Sequence, residues 1–177
     1  TDAVSVLDGI RRAVSDKTRV TYARGAAATS VDRSGFDEAE RAAREADVVV
    51  AVIGEIEDMS GEARSRTGLL IPGAQQALLE RLAKTGKPIV AVLMNGRPLA
   101  LTWLHEHVPA IVESWFLGVE MGTGLADVLF GDVNPSAKLP ISFPRNVGQV
   151  PIYYAQKRTG RPPSATDPYS SRYLDVP

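Results

Sequence analysis

Residues 47–54 read DVVVAVIG, and this run decides the fold. Its valines and isoleucine branch at Cβ, which favours extended backbone, and no polar residue alternates with them, so both faces of the strand expect burial. A strand covered on both faces belongs in a parallel sheet flanked by helices, and the closing glycine marks its end. Working outward, residues 36–46 (FDEAERAAREA) are alanine-rich and charged, the composition of an exposed helix. A loop over residues 55–72 leads to a helix over 73–84, and PIVAVLM at 88–94 forms a second strand of the same kind. Residues 99–105 read as a helix, 110–116 (AIVESWF) as a strand and 123–130 as a helix. Toward the N-terminus, Val4, Leu7, Ile10 and Val14 recur at helical spacing with Arg11, Arg12 and Asp16 between them, giving an amphipathic helix over about 3–15. Residues 19–23 read as a short strand, and the small, polar stretch 25–35 (GAAATSVDRSG) as a loop. Strands alternating with helices at such short intervals predict an open α/β domain, with a mainly parallel sheet and helices on both faces.

Beyond Gly131 the pattern changes to proline-punctuated segments, NPSAKLPISFP, QVPIYY and KRTGRPPSATDPYSSRYLDVP. Proline at these intervals excludes core helices. The expected division is a sandwich domain over 1–145 and an extended segment over 146–177 that wraps it or lies on a neighbour.

Composition bounds the partners. The 177 residues are 44% hydrophobic and 23% charged, the balance of a globular protein with an ordinary core. A formal net charge of −1 provides no field for nucleic acid or an anionic membrane, and no tract reaches the length of a membrane span. With no cysteine, disulfides, zinc-thiolate sites and thiol nucleophiles are excluded, and the compartment stays open. The first residues, TDAVSVLDGI, show no leader pattern.

In open α/β sheets ligands bind beyond the carboxyl ends of the strands, which directs attention to the loops after Gly54, Met94 and Phe116. The first, GEIEDMSGEARSRTGLLIP, gathers Glu55, Glu57, Asp58 and Glu62 with Arg64 and Arg66. A charged solvated loop accounts for such a composition, but at roughly 17 residues this one exceeds the usual connection and points toward function. The loop GVEMGTG carries Gly118, Gly122 and Gly124 at a strand-to-helix turn that could cradle a phosphate. Its spacing matches neither common phosphate-binding pattern, and tight turns explain the glycines as well. His105 and His107 are two apart and face different directions, so they do not form a metal pair. Ser60 lacks the surroundings of a hydrolytic serine. Trp103 and Trp115 are sugar-stacking candidates whose simpler reading is packing, and Lys157, Arg158 and Arg161 form a small basic strip.

Several segments together resemble one family. The run ESWFLGVEMGTGLADVLFGDVNPSAKLPISFP (113–144) is similar to the C-terminal half of the α/β sandwich domain of family-three β-glycosidases. Its pattern there is W-F/Y-x-G-x-x-x-G-x-x-x-A-D-V-L-F-G-D-x-N-P-S-G-K-L-P. GKPIVAVLMNGRPLAL (86–101) and ADVVVAVIGE (46–55) match in order and spacing, and VSVLDGIRRAV, VPIYY, TGRP and SSRYLD resemble the periplasmic bacterial β-glucosidases of that family. Two features depart from the pattern. The segment 25–35 is shorter than in that subgroup, and the chain holds neither the S-D-W-like motif of the upstream TIM barrel, which carries the nucleophilic aspartate, nor the F-G-Y-G-L-S-type segment that leads toward a fibronectin-like domain.

The resemblance implies a middle domain of a retaining, exo-acting β-glucosidase whose long loop reaches over the barrel with the general acid/base. Ser60-Gly61-Glu62-Ala63-Arg64-Ser65-Arg66 fits the family pattern S-G-E-x-x-x-R, which carries the role onto Glu62, with Glu55 as the second choice. Met59, Ser60, Arg64 and Arg66 follow as substrate-binding or loop-supporting residues. Retaining glycosidases use two carboxyl groups ~5 Å apart, and this chain holds one of them, so alone it is expected to be inactive. The implied partners are the barrel and an oligosaccharide or aryl β-glucoside, without metal or cofactor, in a periplasmic or secreted setting. Two other readings stay open at this stage: a flavodoxin-like or Rossmann-like module binding a small ligand or nucleotide at the Gly118–Gly124 turn, and a non-catalytic scaffold domain of the same family.

Overall fold

The computed structural model describes residues 2–157 and 160–176. Arg158 of the basic strip and Thr159 of the TGRP segment lie outside the described residues.

The two β-branched runs form the strands their composition demands, and a third joins them. Strands β1 (Val49–Gly54), β2 (Ile89–Met94) and β3 (Ala110–Glu113) make one parallel sheet in the order β1-β2-β3. Gly54 lies opposite Met94, and Leu93 opposite Glu113, so the three carboxyl ends finish level with one another. Among the described residues five α-helices flank the sheet: α1 (Val6–Ala13), α2 (Phe36–Glu45), α3 (Gln75–Ala83), α4 (Thr102–His107) and α5 (Met121–Phe130).

Because side chains alternate along a strand, each run feeds two cores. On one face Ile53, Ile89, Ala91 and Leu93 pack with Phe36 and Ala39 of α2, Leu78, Leu79 and Leu82 of α3, and Leu104 of α4. On the other, Val92 meets Val6 of α1 and Leu125 of α5, with Val50, Met94 and Val112 around them. Each fully buried leucine or isoleucine of this set contributes about 1.5–3 kcal/mol relative to exposure. In the second layer α1 and α5 nearly touch: a Cβ at Gly9 would sit 2.0 Å from the Gly122 carbonyl oxygen. Ser5 starts α1 by accepting a hydrogen bond from the Asp8 N–H, and Gly131, at φ 85°, ends α5 in the left-handed conformation.

One expected strand is absent. Residues 19–23 join no ladder, and β1 is an edge of the sheet among the described residues. Alternation along this segment places Arg19, Thr21 and Ala23 on one side and Val20, Tyr22 and Arg24 on the other, so neither side offers a full apolar row. Tyr22 is exposed, and Ala23 is the residue of this segment that packs against the core. The third strand also stops early, at Glu113 instead of residue 116, because Trp115 takes φ +56° and turns the chain out of the sheet.

After Gly131 the described chain holds one short 3-10 turn, Val147–Gln149. Phe143 packs against the larger core, and the Thr102 hydroxyl of α4 donates to the Arg145 carbonyl. Farther on, Tyr154, Tyr169 and Leu174 stand exposed.

Candidate active site

The level strand ends put three loops side by side. The chain leaves β1 at Gly54, whose φ of +135° lets the backbone pass close to Met94. Glu55 follows at once, with a fully buried side chain. A carboxylate in that position must be matched by opposite charge, and two guanidinium groups do so. Arg66, from later in the same loop, binds Glu55 Oε1, and Arg97, from the loop after β2, brings Nε to 2.9 Å of the same oxygen. The second contact is an ion pair whose N–H is not aimed at the oxygen. The Gly96 N–H donates to the other carboxylate oxygen at 3.1 Å. Both Glu55 oxygens are thus taken up inside the protein.

Arg97 also reaches the loop backbone. Its Nη2 donates to the Met59 carbonyl and, at 3.1 Å, to the Arg64 carbonyl. Ser60 leans on Gly96, where a Cβ would come within 1.9 Å of the Ser60 hydroxyl oxygen. Met59 closes a short 3-10 turn, Glu57–Met59, and is half-buried like Ser60. Arg64 pairs with Asp58 at 3.2 Å on the surface, where such a contact contributes little.

Glu62 stands apart from these anchors. It is exposed, in a turn bounded by Gly61 at φ 137° and Ala63 at φ 56°, and its carboxylate has no hydrogen-bond or ion-pair partner among the described residues. A non-glycine residue in the left-handed region costs of order 1 kcal/mol, so Ala63 records a backbone held against its preference at the residue after Glu62. The sequence-predicted residues therefore divide: Glu55 and Arg66 form the root of the loop, Met59 and Arg64 supply carbonyls to Arg97, Ser60 rests on the neighbouring loop, and Glu62 is the carboxyl group presented outward.

Gln75, the first residue of α3, closes the loop from beneath. Its amide accepts from the Gly54 N–H at 2.9 Å and donates to the carbonyls of Gly54 at 2.8 Å and Pro72 at 2.9 Å, joining both ends of the 55–72 segment. Replacing Gln75 with alanine strands these buried groups, each worth about 1–3 kcal/mol when orphaned. Gln75→Ala is expected to lower unfolding stability by about 3 kcal/mol in urea titrations, and a loss under about 1 kcal/mol would mean that water replaces the amide.

The end of β3 adds a further carboxyl group. Glu113 accepts from the Trp115 N–H at 3.0 Å and from the Asn95 amide at 3.4 Å. Burial pushes its pKa above the ordinary glutamate value, against the lowering effect of those two donors. Asn95 is wholly buried and also donates to the Arg97 carbonyl at 2.8 Å, which shapes the turn that aims Arg97. Arg97, Gln75 and Asn95 are not among the residues that the sequence motifs single out. The available signal is the polar pair Asn95 and Arg97 in the otherwise apolar stretch PIVAVLMNGRPLAL, directly after a buried strand.

The remaining candidates take structural places. Trp103 stacks on His107 with ring centroids 4.7 Å apart, and Trp115 packs at 5.7 Å against Phe143. In the glycine-rich turn, Gly122 faces the Ser5 carbonyl, 2.0 Å from where a Cβ would stand, and its N–H is already bonded to the Val4 carbonyl at 3.0 Å. The glycine there answers the close approach of α1, and that N–H is not open to a phosphate.

Comparison with known proteins identifies the family of the chain. Residues 1–174 match the family model described as the glycosyl hydrolase family 3 C-terminal domain. The chain is 50% identical to a periplasmic beta-glucosidase of Salmonella typhimurium, over 98% of the chain and 26% of that protein. It is 45% identical to a beta-xylosidase of Formosa agariphila, over 87% of the chain and 21% of that protein. The crystal structure of a beta-glucosidase from Listeria innocua in complex with gluconolactone superposes with a TM-score of 0.89 at 38% identity, over 99% of this chain and 24% of that one. The chain thus spans about a quarter of the length of these relatives.

Proposed function

Because the chain belongs to the glycosyl hydrolase family 3 C-terminal domains, we propose that it is the second domain of a retaining, exo-acting β-glucosidase and supplies the general acid/base, Glu62. The observation that carries this reading is the contrast between Glu62 and Glu55: an outward carboxyl group without a partner, on a loop whose root is tied down by a buried ion cluster. In the first half of the reaction Glu62 protonates the leaving-group oxygen while an aspartate attacks the anomeric carbon. In the second half Glu62 takes a proton from water, which releases the sugar from the aspartate.

The nucleophile belongs to an upstream TIM barrel, over which the 55–72 loop projects. The similarity to much longer β-glycosidases supports this partner. Residues 146–177, with exposed tyrosines and Leu174, suit a segment lying on a neighbouring domain. The substrates are oligosaccharides or aryl β-glucosides with a terminal non-reducing β-linked sugar. The relative described as periplasmic supports a periplasmic or secreted location, and no helix among the described residues is long and apolar enough to cross a membrane.

The test compares the full-length polypeptide with the 177-residue chain on p-nitrophenyl β-glucoside, following the first-formed sugar by NMR. The full-length protein is expected to release β-glucose first and the chain alone to stay at background. Turnover by the isolated chain, or α-glucose as first product, refutes the reading.

A further inference from the structure

We propose that Arg97 is a positioning residue that sets the place of Glu62; this rests on the reading of Glu62 as the acid/base. The arc from Met59 to Arg64 contains Glu62, and the Arg97 guanidinium holds both of its ends through their carbonyl oxygens. The same planar group lies against Glu55, the first residue of the loop, at 2.9 Å. Guanidinium geometry is rigid, so the two loop carbonyls and the Glu55 carboxylate are held at a constant separation.

Stability alone does not account for this arrangement. A buried arginine–glutamate pair is often no more stabilising than an apolar pair of the same size. What the pair adds is directional: it converts a long polar loop into an arc seated on the sheet, with Gly96 and Asn95 fixing the direction from which Arg97 enters. A displacement of about 1 Å in a group that transfers a proton lowers the rate by about 10²-fold, so even a small slackening of the arc is readable in kinetics.

Lysine at position 97 keeps a cation beside Glu55 but cannot reproduce the guanidinium's directional contacts with both loop carbonyls. In the full-length enzyme, Arg97→Lys is expected to lower kcat/KM for phenyl and alkyl β-glucosides by about 10²-fold. For 2,4-dinitrophenyl β-glucoside, whose leaving group needs no proton, kcat/KM should stay within about threefold, and azide should raise kcat. In a Glu62→Ala background, Arg97→Lys should have no further effect, because it acts through a group no longer present. Should Arg97→Lys fail to fold, the paired change Glu55→Gln with Arg97→Gln removes this ion pair, leaves Arg66 with its partial access to solvent, and is expected to give the same selective loss.

Equal losses on all substrates, multiplication of the Arg97→Lys and Glu62→Ala effects, or wild-type kinetics in the folded variants overturns the proposal. The Glu62→Ala single variant separates the two failures. If it shows leaving-group selectivity and Arg97→Lys does not, the positioning role falls alone; if it shows none, both fall.

Discussion

Glu62→Ala in the full-length enzyme is expected to slow hydrolysis of substrates with poor leaving groups by about 10²- to 10⁴-fold, the usual worth of general acid/base help. That range corresponds to about 3–5 kcal/mol of transition-state free energy. The loss should track the basicity of the leaving group. An alkoxide or simple phenoxide must be protonated as it departs, whereas 2,4-dinitrophenolate leaves unaided, so kcat/KM for the dinitrophenyl substrate should be nearly preserved. Its kcat should fall, because the glycosyl-enzyme then waits for water without a base. Azide attacks that intermediate as an anion and needs no deprotonation, so adding it should restore turnover and yield a β-glucosyl azide. The alkaline limb of the kcat/KM profile, which reports a required proton, should disappear in the variant. A uniform loss across leaving groups together with indifference to azide would remove Glu62 from this role and turn attention to Glu55.

The largest effect on folding is expected at Gly54. With φ at +135°, a conformation that L side chains rarely adopt, a Cβ built there would lie 2.1 Å from the Met94 carbonyl oxygen and 2.8 Å from its carbon. Those atoms belong to the paired strand, so relief requires β1 and β2 to separate where their ladder ends. Backbone strain and the clash add, and Gly54→Ala should cost more than about 4 kcal/mol. Against a domain stability of about 5–15 kcal/mol, that leaves little native population at physiological temperature. Urea unfolding of the variant beside the parent chain measures it, and a difference within about 1 kcal/mol would mean that the close approach does not exist. Since Glu55 follows Gly54 directly, a partly folded variant should also lose the Glu55–Arg97 contact and with it the seating of the loop.

Much of this architecture was legible locally. DVVVAVIG and PIVAVLM carry apolar side chains on both faces, and a strand of that kind requires cover on both sides. The two layers cover PIVAVLM in this way, whereas at the edge strand β1 the second face is only partly covered and Val52 stays exposed. The alanine-rich segment before β1 and the spaced apolar residues of α1 needed only propensity and periodicity to be read. Residues 19–23 misled because a few β-formers resemble a strand over a short window, while strand formation depends on a partner edge and an apolar face that the segment lacks.

By itself, the sequence determined the α/β class, the two long strands, the family resemblance and the loop that holds the candidate acid, since each follows from neighbouring residues or from a long ordered motif. The resemblance ranked Glu62 ahead of Glu55, and only the tertiary structure gives the two acids their different surroundings. Glu55 and Glu62 are both glutamates in one polar segment, and what separates them is Arg97, 42 positions from Glu55 in the chain and 2.9 Å from it in space. That contact arises because β1 and β2 pair in parallel and end level, bringing together two loops that no local pattern connects. A carboxylate buried between guanidiniums and a carboxyl group left open to a partner differ in solvation and charge environment, and those are properties of the folded neighbourhood.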